Sequence, residues 1–145
     1  MTDVTTYMTD DHRRCDTLFA DLEAAVNDGD WDAASAGLEQ FLDGMNHHFS
    51  IEEEQLFPEF ERLTGMAMGP TRIMRSEHEQ MRALFEELRI GLAEQDEETV
   101  LGTAETLNVL MQQHNLKEEE ILYPMTDQAL GEEADDFARR LGAGA

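Results

Sequence analysis

The chain has 145 residues, 41% of them apolar, which suits one globular domain with its own core. Thirty-three acidic residues against 10 basic ones give a formal net charge of −23, which argues against nucleic acid and anionic membrane surfaces as partners because both carry the same sign. No run of about 18 apolar residues is present to span a bilayer, and Cys15, the only cysteine, excludes an internal disulfide and a thiolate-based zinc site.

Apolar residues recur at helical spacing, and no stretch alternates in the manner of a strand. A first helix is predicted from near Thr9 and Asp10, with Leu18, Phe19, Leu22 and Val26 on one face. Residues 27–30 (Asn-Asp-Gly-Asp) read as a turn. A second helix runs from about Trp31 through Leu38, Phe41, Leu42, Met45, His48 and Glu52 to Leu56, and Pro58 disturbs its end. Residues 65–69 read as a loop, and Pro70 suits the first turn of a third helix carrying Ile73, Met74, His78, Met81, Leu84, Phe85 and Leu88. After a break near 94–97, a fourth helix carries Val100, Leu107, Leu110, Met111, His114 and Glu118, and ends at Leu122 before Pro124. A short acidic C-terminal helix is expected over 132–141. The predicted fold class is therefore all-α, an antiparallel up-down-up-down four-helix bundle with a short C-terminal helix. It forms a single domain whose core covers about 9–125.

The chain repeats itself. Aligning 45–58 with 111–124, an offset of 66, gives seven identities in 14 positions: Met45, His48, Glu52, Glu53, Glu54, Leu56 and Pro58 match Met111, His114, Glu118, Glu119, Glu120, Leu122 and Pro124. The same offset places His12 on His78, Leu18 on Leu84, Phe19 on Phe85 and Leu22 on Leu88. The two halves read as two copies of one helical hairpin related by a pseudo-two-fold axis.

The repeat carries six candidate metal ligands: His12, His48, Glu52, His78, His114 and Glu118. His48 with Glu52, and His114 with Glu118, are four residues apart and so share a helix face. From His12 to Asp28 is 16 residues and from Trp31 to His48 is 17, with the same counts from His78 to Glu94 and from Glu97 to His114. At about 1.5 Å rise per residue these arms match, so all four histidines reach one layer. One histidine on an apolar helix is ordinarily a core or boundary residue, and one His-x-x-x-Glu pair is ordinarily surface charge pairing. The matched set is not, because burying four imidazoles and two carboxylates with nothing between them is costly. The donors suit two ions bridged by both carboxylates. The mixed nitrogen and oxygen set favours iron, with manganese or zinc as alternatives, and disfavours calcium and magnesium.

Other residues carry weaker signals. His47 points about 100° away from His48 and reads as a boundary residue. Cys15 and Met81 hold equivalent places three residues after His12 and His78 and read as packing under the metal layer, as do Met45 and Met111 beside it. Tyr123 and Tyr7 could supply a phenolate ligand or a hydrogen bond, although Phe57 stands opposite Tyr123 in the repeat. Glu53, Glu54, Glu119 and Glu120 read as a solvated face from which one could orient a histidine ring. Lys117 stands where the other half has Ile51, and either breaks the symmetry of the two ions or snorkels to solvent.

These residues resemble the hemerythrin-like, or HHE cation-binding, family. The resemblance runs from Asp11-His12-Arg13 to Pro124 and rests on His12, His48-Phe-Ser-Ile-Glu52, Glu77-His78 and His114-Asn-Leu-Lys-Glu118. It implies an antiparallel four-helix bundle with a non-haem di-iron centre. His12, His48, His78 and His114 would be terminal ligands, and Glu52 and Glu118 bridging carboxylates. Oxygen-carrying members place a second histidine one turn after the first on the third helix, where this chain has Arg82. In the carriers the fourth helix has an aspartate at longer spacing, where this chain keeps Glu118. The resemblance therefore points to members linked to iron–sulfur repair, nitric oxide or peroxide handling, and oxygen or iron sensing. A protein that binds or senses dioxygen or a related small ligand is the first expectation. A di-iron redox enzyme acting on peroxide or nitric oxide is the second, and iron storage or delivery the third.

Two expectations concern setting. The first residues lack a basic stretch followed by an apolar one, so a cytoplasmic location is expected. The acidic, lysine-poor composition, with Lys117 beside nine arginines, suits a salty cytosol in which screening relieves self-repulsion.

Overall fold

The computed structural model describes residues 2–143. Among these every regular element is helical: α1 (Val4–Asn27), α2 (Trp31–Ile51), α3 (Phe57–Thr64), α4 (Pro70–Ala93), α5 (Glu97–Lys117), α6 (Tyr123–Leu130) and α7 (Ala134–Ala143). A π-turn, Glu52–Leu56, joins α2 to α3, and another, Glu118–Leu122, joins α5 to α6. The result is four long rods, α1, α2 with α3, α4, and α5 with α6, in the predicted antiparallel bundle, with α7 packed across α1 and α6. None of the described helices is long and apolar enough to cross a membrane.

The repeat is built into every boundary. Val4 and Pro70 open matching rods, Asn27 and Ala93 close them, and Trp31 and Glu97, Glu52 and Glu118, and Phe57 and Tyr123 open the matching later pieces, each 66 residues apart. The hairpin turns share their chemistry too. Asp30 caps α2 by accepting from the Ala33 N–H, and Asp96 caps α5 by accepting from the Thr99 N–H.

Four boundaries differ from the sequence reading. Helix α1 starts at Val4 rather than near Thr9, because Asp3 caps it by accepting from the Thr6 N–H and Val4 and Met8 have an apolar partner in the α6–α7 corner. Asp127 fixes this start as well, accepting from the Val4 and Thr5 N–H groups at 2.8 and 2.9 Å and from the Thr5 hydroxyl at 2.6 Å. Asp127→Ala is expected to cost about 0.5–2 kcal/mol, the usual value of a lost helix cap, measured by chemical unfolding. The second and fourth rods do not end at Pro58 and Pro124. An α-helix would require an N–H at the proline, and the chain widens into a π-turn just before it, with the Phe57 N–H donating to Glu52 O and the Tyr123 N–H to Glu118 O. Each proline then sits harmlessly in the first turn of the continuing helix. The C-terminal helix begins with a 3₁₀ turn, Gly131–Glu133, before α7.

The predicted apolar faces are buried, apart from Leu18, Leu84 and Leu110, which are half-buried, and Ile73, which is exposed. The core is in two parts. The lower cluster centres on Phe19, Phe41, Phe49, Phe85, Leu88 and Leu107. Its aromatic rings interlock, Phe19 on Phe41 at 5.1 Å and Phe41 edge-on to Phe85 at 5.7 Å. The upper cluster holds Met8, Leu56, Phe60, Leu122, Phe137 and Leu141. In each rod the candidate ligands fall between the two: His12 between Met8 and Cys15, His48 and Glu52 between Met45 and Leu56, and likewise in the second half. At Gly44 the rods approach closely, since a Cβ there would lie 3.0 Å from Leu18 Cδ1 and 3.2 Å from an Arg14 nitrogen.

Candidate metal centre

All six predicted ligand residues are buried in the layer between the two clusters, none more than 3% exposed. The hairpin register places them as the arm lengths require: the His12 and His48 ring centres are 4.6 Å apart, and those of His78 and His114 5.0 Å apart. Ligand atoms of His12, His48, Glu52 and Glu118 lie within 4.8 Å of one another, and so do those of Glu52, His78, His114 and Glu118. The two groups share both glutamates.

The Nδ1 atoms turn away from the layer, each against its own carboxylate. Glu119 lies 2.7 Å from His12 Nδ1, Asp11 2.7 Å from His48 Nδ1, Glu53 2.6 Å from His78 Nδ1 and Glu77 2.8 Å from His114 Nδ1. A carboxylate accepts only from a protonated ring nitrogen, so each ring donates from Nδ1 and turns Nε2 inward. The outer carboxylates are themselves held. Arg14 donates to Asp11, Arg82 donates to both oxygens of Glu53, and Lys117 donates to Glu77. Burial opposes the charge on Asp11, but His48 and Arg14 hold its carboxyl well below the usual range.

These four carboxylates are what the sequence reading missed or misplaced. Asp11 and Glu77 had no assigned role, and Glu53 and Glu119 were read with the solvated face to which only Glu54 and Glu120 belong. The signal was present in the repeat: Asp11 pairs with Glu77 and Glu53 with Glu119 at the offset of 66. Arg82, where oxygen carriers would have a histidine, supports the carboxylate behind His78. Lys117 likewise reaches Glu77 instead of the centre. Half-buried His47 stays outside, in a surface groove with Tyr7, Asp11 and Arg14. Cys15 is packed in the lower cluster, where burial pushes its thiol up.

The chain matches the family model described as the hemerythrin HHE cation binding domain over residues 3–126. It belongs to the hemerythrin HHE cation-binding domain family. No curated protein and no solved structure matches it.

The donor atoms fit the cations that this family binds. Glu52 Oε1, Glu118 Oε2, His78 Nε2 and His114 Nε2 are buried and make no hydrogen bond. His78 Nε2 is 3.0 Å from Glu52 Oε1, yet the two are not aligned for one. Unpaired polar atoms are costly in an apolar interior, and a cation shared among them satisfies all four. Walls of low polarity surround them: Phe49 stacks on His78 with ring centres 3.8 Å apart and planes 16° apart, and Phe57 lies 5.6 Å from the same ring. On the other side the Tyr123 hydroxyl donates to Glu52 Oε2 at 2.6 Å and to Glu118 Oε1 at 2.9 Å.

Proton affinities follow from this crowding. Burial pulls His114 down, but Glu118, Glu52 and Glu77 together raise it to about 9. His48 is raised well above 6.5 by Glu52, Asp11 and Glu118 against its burial, and His12 is raised by Glu118 and Glu119 against the same opposition. Burial alone would raise Glu52, and His48 and its other neighbours hold it well below 4.5. A raised histidine contributes stability that is fully present below its unfolded value of 6.5 and is lost as pH rises through about 9. A lowered carboxylate contributes stability present above 4.5 and lost as pH falls. The chelator-treated protein is therefore expected to melt lower on the alkaline side of His114 and again in acid. A melting temperature unchanged across the alkaline limb would contradict the assignment.

Proposed function

We propose that the chain, as a single domain, holds a carboxylate-bridged pair of iron ions and binds or senses dioxygen or a related small ligand there. His12 and His48 serve one ion, His78 and His114 the other, and Glu52 and Glu118 bridge. The observation that carries this reading is the pair of four-donor groups sharing both glutamates in one buried layer. An iron pair supplies open coordination positions and a change of oxidation state. The residues do the rest. The outer carboxylates fix each imidazole with Nε2 inward, the two apolar clusters keep bulk water out, and the arginines and Lys117 hold the outer carboxylates in place.

Imidazole-rich donors favour iron, manganese or zinc over calcium and magnesium. Near-complete burial of every donor favours a resident centre over labile storage. The test is metal analysis of iron-loaded protein joined to its optical spectrum with and without oxygen. About two irons per chain and a reversible change on adding and removing oxygen are expected, as the two donor groups require. A ratio below one, or a spectrum indifferent to oxygen, nitric oxide and peroxide, would overturn the reading. Continuous consumption of peroxide or nitric oxide would identify a redox enzyme instead.

The formal charge of −23 also supports a cytosolic protein of a salt-rich cell. Unfolding midpoints should rise from low to molar salt as screening relieves repulsion. Equal midpoints would count against that setting.

A further inference from the structure

The two halves match at every candidate ligand and every outer carboxylate, and two of the differences between them change an aromatic residue beside the centre. Phe49 corresponds to Asn115, and Phe57 to Tyr123. All four are buried. Tyr123 lies within 3.5 Å of all four residues of one donor group: its hydroxyl is 2.6 Å from Glu52 Oε2, 2.9 Å from Glu118 Oε1, 3.2 Å from His12 Nε2 and 3.4 Å from His48 Nε2. Donors about 2.1 Å from a shared ion and at right angles to one another lie about 3.0 Å apart. The hydroxyl therefore stands at the spacing of a neighbouring ligand from each of the four. The other group has no such oxygen. Its four residues carry the unpaired atoms Glu52 Oε1, His78 Nε2, His114 Nε2 and Glu118 Oε2, and Phe49 and Phe57 lie against the His78 ring.

We infer that the phenol oxygen of Tyr123 is a further protein ligand of the ion held by His12 and His48, so that the two metal positions are chemically unequal. This rests on the iron pair proposed above. The O–H bond of the phenol breaks as the bond from oxygen to the cation forms, and the proton leaves to solvent. The position of His78 and His114, with no phenol of its own, is then the one left open to an external ligand.

The test compares wild type with Tyr123→Phe, each loaded with iron and oxidised to iron(III). Phenylalanine is already accommodated at the equivalent place in the other half, so the substitution preserves packing. Wild type should show a visible phenolate-to-iron charge-transfer band with tyrosine ring modes in resonance Raman, and release an additional proton on loading. Tyr123→Phe should lose the band and that proton while keeping its iron. Phe57→Tyr, which places a phenol in the second half, should strengthen the band. Indistinguishable visible spectra for wild type and Tyr123→Phe at equal iron content would overturn the inference and leave the iron pair standing. Failure of wild type to take up iron would overturn both.

Discussion

Glu52→Ala is expected to reduce metal content from two ions per chain to one or none, measured after iron loading and desalting. Glu52 is the only residue besides Glu118 that belongs to both donor groups. Its Oε1 lies 3.0 Å from His78 Nε2 and 3.6 Å from His48 Nε2, and its Oε2 accepts from Tyr123. Truncation therefore removes an oxygen donor from each position and takes from the raised His48 the carboxylate that does most to raise it. Removing one partner from such a buried ionic set costs about 3–5 kcal/mol, so the chelator-treated variant should also unfold at markedly lower denaturant. The repeat makes Glu118→Ala the matched experiment with the same outcome, and His47→Ala, outside the centre, should keep both ions. Full metal content in both glutamate variants would contradict the bridging roles.

Glu53→Gln should weaken metal binding by about 10–100-fold, the usual effect of removing the carboxylate behind a ligand histidine, while leaving the stoichiometry at saturation unchanged. Glu53 Oε2 is 2.6 Å from His78 Nδ1, and Arg82 spans both its oxygens at 2.9 and 3.0 Å. The neutral amide no longer fixes the ring proton on Nδ1, so part of the population turns a protonated Nε2 toward the layer. Exposed Glu54 is the control, and Glu54→Gln should bind as wild type does. Equal affinity for both variants, by competition against a chelator of known strength, would show that the outer carboxylate has no influence on the centre.

The bundle and the gathering of the six candidate residues into one buried layer were legible because two periodicities agree. The 3.6-residue spacing marks the rods, and the 66-residue offset separates residues that recur from residues that merely look suitable. Counting along each arm then gave a common height, and the ring separations of 4.6 and 5.0 Å follow from it. What escaped has physical reasons. A carboxylate one residue before or after a ligand points off the apolar stripe, so Asp11, Glu53, Glu77 and Glu119 look like surface until the neighbouring rod is in place. The early start of α1 depends on Asp127, 123 residues away from Val4. A proline ordinarily ends a helix, and the π-turns at Glu52 and Glu118 are a rarer way of accommodating it. Tyr123 drew ambiguous weight because its repeat partner, Phe57, has no polar atom.

Each four-residue group that could hold a cation draws three members from one hairpin and its last from the other, since both groups share Glu52 and Glu118. An occupied centre thus acts as a rivet through the seam between two copies of the same unit. Loss of the cations should loosen that seam before either hairpin frays. Hydrogen exchange on demetallation would then rise first along the faces where the halves meet, with the turns capped by Asp30 and Asp96 the last to change.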